Sequence, residues 1–140
     1  MSDPNSLLTD LIDAAREAMG KAYAPYSRFS VGAAILGESG RVYAGGNVEN
    51  AAYPQGQCAE ASAIGAMVVG GDRKIREIVV MGGKPDDGIL CTPCGGCRQR
   101  LREFAAPETQ IHVCGPEGLR RTFTLGELLP HSFGPDNLDF

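Results

Sequence analysis

CAEASAIGAMVVGGDRKIREIVVM, Cys58–Met81, contains the change of period that decides the fold. Its first half, Cys58–Val69, is rich in alanine and long enough for three helical turns before Gly70-Gly71 stops it. Its second half, Ile75–Met81, is a short β-branched run suited to a buried strand. A helix followed by a strand across a glycine pair is the repeating unit of an alternating α/β chain.

The alternation continues downstream. Gly82–Gly88 is a Gly/Pro-rich loop, Cys94–Phe104 reads as a helix behind Pro93, and Gln110–Cys114 reads as a strand. Arg120–Thr124 adds a last strand, and Leu125–Leu129 a short helix stopped by Pro130. Upstream, Val31–Leu36 and Arg41–Val48 flank Gly37-Glu38-Ser39-Gly40 and read as a β-hairpin, followed by an Asn50–Gln57 loop. Before them, Leu7–Met19 repeats its apolar residues at three and four. Asp3, Asn5 and Ser6 offer caps, and Gly20 marks the end. Tyr23–Ser27, with Pro25 inside it, is a loop. The predicted fold is α/β, a three-layer α/β/α sandwich with a mixed five-stranded sheet.

A chain of 140 residues suits one domain, 1–140, with one core. The net charge of −4, with no Lys/Arg cluster longer than Arg120-Arg121, leaves no footprint for a phosphate backbone, so no nucleic-acid polymer is expected as a partner. The start of the chain lacks a basic-then-apolar layout, and no apolar run approaches the roughly 18 residues of a membrane span. No membrane association is expected, and the predicted location is the cytoplasm.

Five cysteines are an odd number, and Cys58, Cys94 and Cys97 fall in a pattern that reads as metal binding rather than as disulfides. Cys58-Ala59-Glu60 and Pro93-Cys94-Gly95-Gly96-Cys97 each sit at a predicted helix start, where free amides and the helix dipole favour a thiolate. Three protein ligands leave the fourth tetrahedral position to a water, the arrangement of catalytic zinc. Glu60, two residues from Cys58, is placed to move protons at that water rather than to ligate the metal. Three thiolates leave zinc at a formal charge of about −1. Arg98, directly after the last ligand, is therefore expected to donate hydrogen bonds to a thiolate sulfur.

Other readings stand beside this one. Cys94-Gly95-Gly96-Cys97 alone equally fits a redox pair or half of a structural zinc knuckle. A structural site would take its fourth ligand from Cys91, Cys114, His112 or His131. His112, in an alternating apolar strand, reads as a packed or edge histidine, and His131 lies in a terminal loop; neither is assigned a role.

Five separated blocks then carry a resemblance: Tyr26–Ala34, Gly46–Tyr53, Cys58–Glu60, Pro93–Gln99 and Leu128–Gly134. Together they resemble the small homotetrameric zinc-dependent cytidine deaminases, over about Tyr23 to Leu138. Cys-x-Glu followed by Pro-Cys-x-x-Cys is the zinc-deaminase signature. The resemblance implies one Zn²⁺ per chain on Cys58, Cys94 and Cys97, and Glu60 as the catalytic acid and base. It implies cytidine or deoxycytidine and water as substrates, within pyrimidine salvage. It implies further that Asn47 and Glu49 hydrogen-bond the ribose and that Phe29 packs on the nucleoside. Phe133 would reach in from a neighbouring subunit, although either Phe also fits ordinary core. Ala51 and Tyr53 are implied at the subunit contact, and the backbone of Ala59, Pro93 and Cys94 around the base. One departure stands out: relatives with three cysteine ligands usually carry Arg after the catalytic Glu, and here that residue is Ala61. The rival readings are a deaminase of similar fold acting on another cytosine-containing small molecule, a polynucleotide deaminase, and a non-catalytic zinc-stabilised module.

Overall fold

The Gly37–Gly40 turn brings β1 (Val31–Gly37) and β2 (Val42–Gly46) together antiparallel, with Leu36 opposite Val42 and Gly40 at φ +90°. Asp72, buried behind this turn, accepts hydrogen bonds from Ser39 Oγ at 2.6 Å and Tyr43 Oη at 3.0 Å and ties the hairpin to the chain that follows the next helix. The structure is a computed structural model and describes residues 4–138.

Five strands form one sheet in the order β2-β1-β3-β4-β5, with β3 at Ile75–Gly82, β4 at Gln110–Gly115 and β5 at Gly118–Thr124. Only β3 and β4 pair in parallel, bridged by α3 (Gly95–Phe104), so the sheet is mixed as predicted. Side chains alternate across it. Ala34, Leu36, Val79, Met81 and Cys114 pack against Leu11 and Ala15 of α1 (Pro4–Gly20). Ala33, Ile35, Ile78, Val80, Ile111 and Val113 pack on the other face, against α2 (Ala59–Val69), α3 and α4 (Leu125–Leu128). β1 is covered on both faces, which is why its sequence is apolar at successive positions instead of alternating. The three-layer α/β/α sandwich expected from the alternation is the observed architecture.

Several element boundaries differ from the sequence expectation. Helix α1 begins at Pro4, a residue pre-organised for a first turn, so Asn5 and Ser6 lie inside the helix instead of capping it; Asp3 is outside the described residues. β2 stops at Gly46, because Val48 leaves the sheet and exchanges backbone hydrogen bonds with Gln57 at 2.9 and 2.8 Å. β5 starts at Gly118 rather than Arg120, in a tight turn from β4. Cys58 and Cys94 are extended N-cap residues instead of the first helical ones.

Strand direction brings the two cysteine motifs together. β2 and β3 are both antiparallel to β1, so they run the same way and their carboxyl ends open on one edge of the sheet. α2 follows β2 and α3 follows β3, and both helices pack on the same face. Their N-termini therefore start from that one edge. Gly45 lets α2 approach: a Cβ there would lie 2.6 Å from the backbone nitrogen of Ala63.

Candidate active site

Cys58, Cys94 and Cys97 present sulfurs that all lie within 4.8 Å of one another. Tetrahedral zinc with Zn–S bonds of about 2.3 Å holds its sulfurs about 3.8 Å apart, so the cluster has the size and donor chemistry for one zinc. Cys97 is buried, Cys58 is half-buried and Cys94 is exposed. The backbone N–H of Cys97, at the start of α3, holds the Cys94 thiol below its ordinary value. Burial pushes Cys58 up, and burial, then the negative charges of Glu60 and the other two cysteines, push Cys97 up. A dication among the sulfurs reverses that balance and lets all three ionise together.

Glu60 stands in the first turn of α2, 4% exposed, with the Cys97 thiol as a hydrogen-bond partner. Burial raises its pKa above the carboxylate norm, against the pull of the Arg100 charge. A carboxyl group so raised exchanges protons near neutrality more readily than an exposed one. Ala59 and Pro93, whose backbones flank the sulfurs, are buried.

The other predicted site residues fall into two groups. Glu49 and Asn47 lie just after β2 and both already have partners in the chain. Glu49 accepts the Tyr26 and Ser27 N–H groups at 2.9 and 3.1 Å and the Ser27 hydroxyl, and these bonds hold its pKa down, the hydroxyl most. Asn47 Oδ1 accepts the Val31 N–H at 2.9 Å, and its Nδ2 donates to the Phe29 carbonyl at 2.9 Å. One lone pair and one N–H of the amide remain for a ligand. Tyr26, Ser27, Glu49, Asn50, Tyr53 and Gly56 line a cleft of about 310 Å³, with the Tyr26 and Tyr53 rings edge to face at 5.8 Å.

Phe29 is 47% and Tyr53 74% exposed, and Ala51 is exposed too. Phe133 is 57% exposed and is not among the residues lining this cleft: its carbonyl accepts from Gln99 Nε2 at 2.8 Å, and it lines a separate pocket with Gln99, Glu103 and Pro135.

The expectation for Arg98 is corrected. Its guanidinium donates to the Pro93 carbonyl at 2.7 Å, the Leu128 carbonyl at 2.8 Å and Thr92 Oγ1 at 3.3 Å, and so braces the loop that carries Cys94. Its planar fork is taken up by these oxygens, and no hydrogen bond from it to a sulfur is found among the described residues. The arginine that reaches a sulfur is Arg100, with Nη1 3.9 Å from Cys97 Sγ. Its spacing of three from Cys97 was the available sequence signal. Tyr26 and Ser27, the donors that hold Glu49, are the other site residues the residue-by-residue reading missed, and their contact spans 22 and 23 positions.

His112 is buried at the sheet, between Thr122 Oγ1 at 2.8 Å and Glu77 Oε1 at 2.9 Å, a packed histidine as expected. Cys91 and Cys114 are free thiols, each pushed up to about 11 by burial. Among the described residues, the three-cysteine set is the one cluster of its kind.

Residues 6–113 match the family model for the cytidine and deoxycytidylate deaminase zinc-binding region. The chain is 36% identical to a cytidine deaminase of Sporosarcina psychrophila over 130 residues, 93% of each chain. It is 42% identical to a cytidine deaminase of Mycobacterium tuberculosis over 125 residues, 89% of this chain and 87% of that one. The crystal structure of a cytidine deaminase from Burkholderia pseudomallei superposes with a TM-score of 0.81 at 38% identity, covering 89% of this chain and 98% of the other. With the Cys58, Cys94 and Cys97 sulfurs converging beside the Glu60 carboxylate, these matches establish that the chain belongs to the zinc-binding cytidine and deoxycytidylate deaminase family.

Proposed function

We propose that this chain is a cytidine deaminase, which replaces the C4 amine of cytidine or deoxycytidine with the oxygen of water and releases uridine or deoxyuridine and ammonia. The observation that carries the reading is the buried Glu60 carboxylate beside three convergent cysteine sulfurs, at the meeting point of two helix starts. Residues 1–140 act as one catalytic domain.

Zinc held by Cys58, Cys94 and Cys97 supplies, when bound, a water whose pKa is lowered toward neutrality. Glu60 withdraws a proton from the attacking water and delivers it to N3 of the pyrimidine, so that oxygen adds at an activated C4. It then carries the second proton to the amine, which leaves as ammonia while C4 becomes a carbonyl. One carboxyl group serves as base and acid in turn, and its raised pKa suits both tasks. The backbone around Ala59, Pro93 and Cys94 orients the base, and Asn47 and Glu49 take the sugar with the hydrogen-bonding capacity their partners leave free. Phe29 packs on the nucleoside.

The working form is a homotetramer in the cytoplasm, serving pyrimidine salvage. Five free cysteines suit a reducing compartment. Exposed Tyr23, Tyr26, Phe29, Val48 and Tyr53 offer apolar surface that a second copy would cover, with Ala51 and Tyr53 at the contact and Phe133 supplied by a neighbour. No helix among the described residues is long and apolar enough to cross a membrane.

The test is the ultraviolet change of cytidine with zinc-quantified protein, run beside Glu60→Gln and across pH. Wild type is expected to turn over with about one zinc per chain, and Glu60→Gln to keep zinc while losing about 10²- to 10⁴-fold in kcat. Loss of the basic form of Glu60 as pH falls is expected to give kcat/KM an acid limb. Zinc without turnover on any cytosine compound would replace this reading with a non-catalytic module.

A further inference from the structure

We infer that Arg100 is the charge-balancing residue of the three-cysteine site, its guanidinium sharing the negative charge of the sulfurs by donating to Cys97 Sγ. The inference rests on the zinc reading of Cys58, Cys94 and Cys97.

Three thiolates around one dication leave a net charge of about −1, and an ionised Glu60 beside them makes the region more negative still. Donors behind the ligands then decide how tightly such a site holds its metal. Helix α3 carries three arginines, and two of them are committed elsewhere. Arg98 braces Pro93, Leu128 and Thr92. Arg102 holds Ser132 Oγ at 2.8 Å and pairs with Asp136 at 2.6 Å. Arg100 forms no salt bridge among the described residues; its charge is felt at Glu60, and its Nη1 lies 3.9 Å from the sulfur of Cys97.

Helix geometry explains the reach. Residues three apart lie on one face, and long side chains lean toward the N-terminus, so Arg100 folds back over the turn that holds Cys97. Gly96 keeps that path open: a Cβ there would stand 3.2 Å from Arg100 Nη1. Arg100 is exposed as a residue, so solvent screens part of its charge. Its effect belongs at the lower end of what groups behind metal ligands contribute, about tenfold in affinity. Arg100 is a positioning residue, acting on the metal through Cys97 and touching no reacting atom.

The experiment uses full-length wild type, Arg100→Gln and Arg100→Lys. Zinc affinity is measured by chelator competition, and the sulfur-to-metal charge-transfer band is recorded after replacing zinc with Co²⁺. Arg100→Gln is expected to lose about tenfold in zinc affinity and to shift the band to lower energy, because less stabilised thiolates give up electrons more easily. Arg100→Lys, which keeps the charge, is expected to stay near wild type. The metal-free proteins should melt together. Equal affinity and equal bands in wild type and Arg100→Gln would overturn the inference, as would a fall in metal-free stability large enough to account for the affinity loss. Wild type that holds no stoichiometric zinc would instead overturn the underlying zinc reading.

Discussion

The cysteine cradle and the loops around the cleft differ in how much of each one chain supplies. At the cradle, Cys97 and Glu60 are buried, the sulfurs lie within 4.8 Å of each other, and Arg98 and Arg100 brace the loop and the metal ligand. At the cleft, Tyr53 is 74% exposed, and Phe29 and Phe133, which do not line it, are 47% and 57% exposed. Chemistry with tolerances of tenths of an ångström is built on two helix starts that share one core. The apolar groups proposed to face the nucleoside are exposed, where a second copy or a ligand can still cover them. The polar residues between them belong to neither extreme, since Asn47 and Glu49 are already fastened to the Phe29–Val31 and Tyr26–Ser27 segments.

Breaking the cradle is expected to have the largest effect. Cys97→Ser removes a buried ligand, so zinc should fall far below one per chain, beyond the hundredfold or so that a group behind a ligand contributes, and cytidine turnover should vanish; metal analysis alongside the ultraviolet assay checks both. Retention of full zinc by this variant would mean that another residue supplies the third ligand.

Asn47→Ala probes the joint between the two regions. It strips a partner from the Val31 N–H and the Phe29 carbonyl, a cost of about 1–3 kcal/mol in denaturant unfolding, and it should raise KM more than it lowers kcat. A rise in KM with unchanged stability would assign the amide wholly to the sugar.

The mildest change belongs to the open side. Phe133→Ala removes an exposed ring, so unfolding free energy at the level of one chain should move by no more than about 0.5 kcal/mol, while KM rises and sedimentation shows looser assembly. Unchanged KM and assembly would sharpen the comparison differently, by removing Phe133 from the site altogether.

Periodicity and spacing made most of the fold legible. The alternation of Cys58–Val69 with Ile75–Met81, and the hairpin around Gly37–Gly40, gave the right elements in the right order because burial on one or both faces writes itself into the apolar pattern. The ends were less legible. Val48 reads as strand by type, yet its hydrogen bonds go to Gln57, a contact that strand propensity does not encode. The grouping of Cys58, Cys94 and Cys97 was legible because Cys-x-Glu and Cys-x-x-Cys spacings at helix starts point their side chains to one place.

Local sequence therefore determined the order of helices and strands, the Cys58-x-Glu60 and Cys94-x-x-Cys97 spacings and the hairpin, since each depends on residues within a turn or two of one another. Tertiary structure alone decided that the motifs 36 residues apart, at Cys58 and Cys94, share one edge, because that follows from β2 and β3 both running against β1. It also decided which arginine faces the sulfurs. Arg98 and Arg100 are two positions apart and so lie on different sides of α3; the carbonyls of Pro93 and Leu128 claim the first, and the gap at Gly96 admits the second.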